Sequence, residues 1–85
     1  MNGKLVDFAD AKIHAFSHVL HYGSGLFEGL RVYKTKTGTA AFWLDAHTER
    51  MYHFCKVYRM EFPYSPSEFI EQNFYTIRSS GYEEL

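Results

Sequence analysis

The stretch LHYGSGLFEGLRVY, Leu20 to Tyr33, sets three glycines around one glutamate and one arginine, among aromatic side chains. Glycines that cradle a phosphate sit between a strand and a helix, so that the helix N-terminus faces the anion. Gly23, Gly25 and Gly29 lack the GxGxxG spacing, and the residues that follow alternate as a strand does. Both features argue against a dinucleotide loop. Side chains of a strand point to opposite faces in turn. Phe27, Gly29, Arg31 and Tyr33 therefore share one side, and Leu26, Glu28, Leu30 and Val32 the other. The second set is apolar enough to pack under helices, with Glu28 in need of a partner or solvent. The first set is unusual for a core face. A glycine inside a strand marks close approach of a ligand or backbone, or else a bulge that leaves Arg31 in water. The pattern alone leaves both readings open.

Working outward, KTKTGT reads as a turn and TAAFWL (39–44) as a returning strand, which with the strand over 26–33 makes an antiparallel hairpin. Asp45 is placed to cap a helix over 46–60, where Met51, Phe54, Cys55 and Tyr58 recur at helical spacing. FPYSPSE ends it. Ser65, Pro66 at the first helical position and Glu68 three residues after the serine predict a capping box. The second helix turns Phe69, Ile70, Phe74 and Ile77 inward and stops near Gly81. On the N-terminal side, GKLVDF (3–8) reads as a short strand. Ser17 reads as the cap of a helical turn that carries Val19 and Leu20 and ends at Gly23. The fold class is α+β: an antiparallel sheet with a hairpin, covered by two main helices, in a single domain over 1–85.

Composition narrows the function. The chain has 85 residues, 19% of them Phe, Trp or Tyr, and a formal charge of −1. An interior this small does not need so many rings, so one face is expected to pack on a partner surface. No basic stripe is present to neutralise phosphates along a nucleic acid, and no apolar run reaches the length of a membrane span. The N-terminus lacks the apolar core of a signal peptide, so the expected location is the cytoplasm. The one cysteine, Cys55, excludes an internal disulfide and reads as a buried, inert thiol.

His14, His18 and His21 have spacings that invite a metal site, but no carboxylate or thiolate completes a ligand set, and hydrogen-bonding histidines are expected. His47 and Arg50 fall early in the helix after the hairpin, where they form either an anion site or a solvated pair. None of Lys4, Lys12, Lys34, Lys36 and Lys56 lies in the apolar setting that a nucleophilic lysine requires.

HYGSGLFEGLRVY, with NGKLV before it and HTER and RMEFPYSP after it, resembles the N-terminal part of branched-chain amino-acid aminotransferases, over about residues 2 to 80. These are fold-type IV enzymes that use pyridoxal 5'-phosphate. D-amino-acid aminotransferases and aminodeoxychorismate lyases share the Tyr/Phe-Gly-x-Gly turn but usually lack the Phe-Glu-Gly-x-Arg continuation at 27–31. The resemblance implies transfer of the amino group of L-leucine, L-isoleucine or L-valine to 2-oxoglutarate. It assigns Tyr22, Phe27 and Gly29 to the pocket for the branched side chain, with Tyr22 reaching a neighbouring subunit's pocket in a homo-oligomer. It gives Arg31 a site-organising role and Arg50 contact with the cofactor phosphate. The family's catalytic lysine and the glutamate on the pyridine nitrogen lie in the larger second domain, which this chain lacks. No catalytic residue or metal is therefore expected in the chain itself, which reads as the small domain of a longer two-domain enzyme. The reading from a different class is a stand-alone, non-catalytic binding module of the same fold.

Overall fold

The computed structural model describes residues 1–84. A single 3-10 turn, Phe8–Asp10, and a short helix α1, His18–Tyr22, precede a two-stranded antiparallel hairpin of β1 (Val32–Thr35) and β2 (Gly38–Ala41). Two longer helices follow, α2 (Leu44–Val57) and α3 (Pro66–Ser80). The α+β class and the hairpin are as the sequence implies.

The hairpin pairs Val32 with Ala41, Tyr33 with Ala40, Lys34 with Thr39 and Thr35 with Gly38, across a two-residue turn at Lys36 and Thr37. Gly38 takes φ 128, where an L side chain would be strained. Beyond the strands, the Phe42 amide donates to the Arg31 carbonyl at 2.8 Å and extends the pairing by one bond. The chain then turns at once into α2. Trp43 adopts a left-handed φ of 51 at the cap position and stacks on Phe42, ring centroids 5.5 Å apart and planes 7° from parallel. Asp45, expected as the cap, lies inside the first turn instead, because the reversal at Phe42 and Trp43 starts the helix earlier.

Helix α2 buries Leu44, Thr48 and Cys55, a stripe at helical spacing in which Met51 is half-buried. Val32 completes the most buried set. The thiol of Cys55 is buried, as expected of an inert cysteine. The Thr48 hydroxyl is buried without a partner among the described residues. Phe54 and Tyr58, which share the apolar spacing, are exposed rather than inward.

Helix α3 begins with the predicted capping box. The Ser65 hydroxyl accepts from the Glu68 amide, and the Ser65 amide donates to Glu68 Oε2 at 2.7 Å. It ends at Gly81, in the left-handed region at φ 73. None of its residues is fully buried: Phe69, Ile70 and Ile77 are half-buried and Phe74 is exposed. The contact of α3 with α2 is aromatic. Phe62 stands edge-on to Tyr52, Tyr64 and Phe69, with centroids 5.3 to 5.6 Å away.

Two expected strands are corrected. Residues 3–8 form no strand, and Leu5 and Val6 are exposed. A strand needs another strand to satisfy its amides, and none runs beside this segment among the described residues. The strand expected over 26–33 is realised only from Val32, with one further bond at Arg31, and residues 26–30 pair with no strand among the described residues. At α1, the helix starts after Ser17 and stops at left-handed Gly23 as expected, but the Ser17 side chain makes no capping bond.

Candidate functional site

Although only its last residues, from Arg31 on, are hydrogen-bonded to a partner strand, the run from Leu26 to Tyr33 keeps the alternation of a strand. Leu26, Glu28 and Leu30 are half-buried and Val32 is buried, whereas Phe27, Gly29, Arg31 and Tyr33 are exposed. Phe27 is 93% exposed. A Cβ placed on Gly29 would meet nothing within 4 Å, so this glycine answers no crowding inside the chain. The reading of Gly29 as a bulge has no support from a strand pairing at that position. Arg31 lies over the ring of Tyr33, its guanidinium carbon 5.9 Å from the centroid.

The inward side is anchored by charge. Glu28 accepts from Arg50 Nε at 2.6 Å and from Arg50 Nη2 at 2.7 Å. Its second oxygen is also 2.8 Å from His47 Nδ1. Only 8% of the Glu28 side chain is exposed, against 58% for Arg50. The hairpin makes this meeting possible: it returns the chain beside Arg31, and the tight turn at Trp43 sends α2 back past Glu28. His47 and Arg50, one turn apart on α2, then face the same carboxylate. The hydrogen bonds from Arg50, and after them those from His47, hold the Glu28 carboxyl at about 2, far below its ordinary 4.5. Glu28 in turn pushes the Arg50 guanidinium upward. An ionised carboxylate only accepts, so Nδ1 of His47 carries the proton of its bond.

Of the two readings left open for His47 and Arg50, an anion site or a solvated pair, the first is met from within the chain by Glu28, which the sequence pattern does not join to them. Arg50 uses one Nε–H and one Nη2–H on Glu28, and the other three N–H groups of its guanidinium are uncommitted in that pair. Tyr22, the last residue of α1, is exposed, and its ring contacts are with His18 at 4.5 Å and His21 at 6.5 Å rather than with Phe27. The structure therefore gathers Phe27, Gly29 and Arg31 along one side, places Arg50 behind them through Glu28, and leaves Tyr22 apart. The histidines serve as hydrogen-bonding groups: His21 Nε2 meets the Ala15 carbonyl at 2.8 Å, and His18 meets the Ser24 hydroxyl. Among the described residues no three His, Cys, Asp or Glu side chains are grouped to hold a metal. No helix among them is long and apolar enough to cross a membrane.

No family model matches the chain. Individual proteins do. The branched-chain-amino-acid aminotransferase of Pseudomonas aeruginosa is 43% identical over 82 residues, which is 96% of this chain and 27% of that protein. The crystal structure of the T.th. branched-chain amino acid aminotransferase, complexed with N-(5'-phosphopyridoxyl)-L-glutamate, superposes with a TM-score of 0.95 at 44% identity, over 99% of this chain and 28% of that one. The Escherichia coli enzyme gives the same TM-score at 36% identity, over 98% of this chain and 27% of its own. These relatives and structural neighbours are branched-chain-amino-acid aminotransferases, whose N-terminal part the chain matches. It spans about a quarter of the length of these relatives.

Proposed function

We propose that the chain is the N-terminal small domain of a longer, two-domain aminotransferase that uses pyridoxal 5'-phosphate. The complete enzyme moves the amino group of L-leucine, L-isoleucine or L-valine to 2-oxoglutarate in the cytoplasm. The observation that carries this reading is the exposed row Phe27, Gly29, Arg31, held out by an inward Glu28 fastened to Arg50. A side chain as apolar as Phe27 gains nothing from water, and a ligand or a second domain would cover it. The neighbouring gap at Gly29 gives a branched aliphatic group room beside the ring.

The residues present fit the cofactor at one point. Arg50 is exposed, its plane is fixed by Glu28, and its uncommitted N–H groups are those that bind a phosphate dianion. When bound, the cofactor supplies an electron sink and carries the amine. The chain's own contribution is binding and exclusion of water. Phe27 and Tyr22 offer rings to the substrate side chain, Tyr22 from a neighbouring subunit of a homo-oligomer. Arg31 keeps a cation at the rim, and Arg50 anchors the phosphate. All five lysines are exposed, which supports placing the covalent partner of the cofactor in the rest of the enzyme, with this chain alone inactive.

The test is transamination by the complete polypeptide. L-leucine, L-isoleucine and L-valine should each react with 2-oxoglutarate, and Phe27→Ala should lower kcat/KM for all three by roughly tenfold to a hundredfold. Unchanged kinetics for all three would remove Phe27 from the pocket. Activity on D-alanine in place of the L-amino acids would move the enzyme to the D-amino-acid branch of the same fold.

A further inference from the structure

Beyond the residues that meet the ligands, we infer that Glu28 is a positioning residue: it holds the Arg50 guanidinium in the orientation that receives the cofactor phosphate, with His47 steadying the carboxylate from behind. The inference rests on the phosphate-binding reading of Arg50 and extends it to a residue that touches no ligand.

A carboxylate among Leu26, Leu30 and Val32 is costly to keep unless it is fully engaged. Glu28 is engaged on both oxygens. Oε1 takes the Nε–H of Arg50, and Oε2 takes both an Nη2–H of Arg50 and the Nδ1–H of His47. The fork of two parallel bonds fixes the guanidinium in plane as well as in place, which a single bond does not do. It also selects which edge is used up. The edge formed by Nε and Nη2 faces the carboxylate, so the remaining N–H groups point away from it, on the solvent side of a side chain that is more than half exposed. A free arginine on a helix surface would have to give up rotamer freedom each time it bound a phosphate. Here that freedom is lost when the domain folds.

The arrangement also explains why this row of alternating residues has its one acidic member on the inner side. A leucine at 28 would continue the apolar stripe of Leu26, Leu30 and Val32, but would leave Arg50 unbraced. The negative charge of Glu28 opposes a phosphate, and the hydrogen bond from His47 answers only part of that opposition. Restraint of the guanidinium, rather than added positive charge, is thus what the trio contributes.

The experiment compares two ligands that differ only in the phosphate. The complete apoenzyme is titrated with pyridoxal 5'-phosphate and with pyridoxal, following cofactor fluorescence, for wild type, Glu28→Gln, Arg50→Ala and the double variant. Glu28→Gln should weaken pyridoxal 5'-phosphate by roughly tenfold to a hundredfold, by analogy with the partners that orient metal-binding side chains. It should leave pyridoxal unchanged, and it should add nothing in the Arg50→Ala background. An equal loss for both ligands, or an equal loss with and without Arg50, would make Glu28 an ordinary structural residue and overturn the inference. If Arg50→Ala weakens pyridoxal 5'-phosphate and Glu28→Gln does not, the inference falls while the phosphate reading of Arg50 stands. If Arg50→Ala leaves the phosphate form equally tight, that reading itself fails, and the inference with it. Should Glu28→Gln not fold, Glu28→Asp, which keeps the charge and shortens the reach, must show the same phosphate-dependent loss.

Discussion

Glu28 and Arg50, twenty-two residues apart, are joined by two parallel hydrogen bonds of 2.6 and 2.7 Å. This pair ties the extended segment that carries Phe27 and Gly29 to the helix that carries Arg50. The faces of one and the cation of the other are thereby fixed relative to each other.

The pair gives stability a defined dependence on pH. Glu28 titrates at about 2 in the folded protein against an ordinary 4.5. Between those values the unfolded chain takes up a proton that the folded chain refuses, so stability falls as the pH falls. The contribution is complete above about 4.5 and gone near 2. Urea unfolding of wild type and Glu28→Gln should show a gap that is full at neutral pH, begins to narrow near 4.5 and closes towards 2. A gap constant from pH 7 to 3 contradicts the pairing.

Gly29 separates pocket from fold. A methyl group there meets nothing within 4 Å, so Gly29→Ala should leave stability unchanged or raise it by about 0.5 kcal/mol through the unfolded state. In the complete enzyme the same methyl group should reduce kcat/KM for branched-chain substrates by roughly tenfold or more. A loss of stability with unaltered kinetics would reverse the assignment.

Gly3 behaves in the opposite way. It has φ 75, and a Cβ there would lie 2.5 Å from the Tyr64 hydroxyl oxygen, on a ring already packed against Phe62. Gly3→Ala should cost about 1 to 2 kcal/mol from the left-handed backbone alone, read as a lower urea midpoint. An unchanged midpoint would mean that the N-terminal segment does not lie on the aromatic cluster.

At α3, Ser65→Ala removes the acceptor for the Glu68 amide and should cost about 1 kcal/mol. The check is chemical denaturation, with helix content followed by circular dichroism. A change of under a few tenths would show that the helix does not depend on its box.

Taken alone, the chain exposes Phe8 at 98% along with Phe16, Phe27 and Trp43. Such surface associates in water, so light scattering of the isolated chain should give a mass that rises with concentration. A monomer at every concentration would mean that these rings need no cover.

Legibility in the sequence followed the range of the interactions. Helix α3 could be read from end to end because its box and its terminal glycine are local signals, three residues apart at one end and a single left-handed residue at the other. The two sides of 26–33 were also legible, since alternation depends only on an extended backbone and survives without a pairing strand. Pairing beyond the local hairpin was not legible: Leu5 and Val6 have strand character, but nothing in their spacing says whether a second strand is there to receive their amides. The start of α2 was misread because a left-handed Trp43 is set by the reversal out of β2, not by its own propensity. Glu28 was seen to need a partner and Arg50 to suit an anion. Their union depends on how the hairpin and α2 come back together, and that is a tertiary fact.

The most direct test of the whole account is the intact mass of the native protein, captured from its source with an antibody against this chain. A mass of roughly three to four times the 10.0 kDa of the chain is expected, in line with the quarter of each relative that it spans. A mass of about 10 kDa would leave the protein with five exposed lysines and no second domain, and the aminotransferase account would be wrong for it.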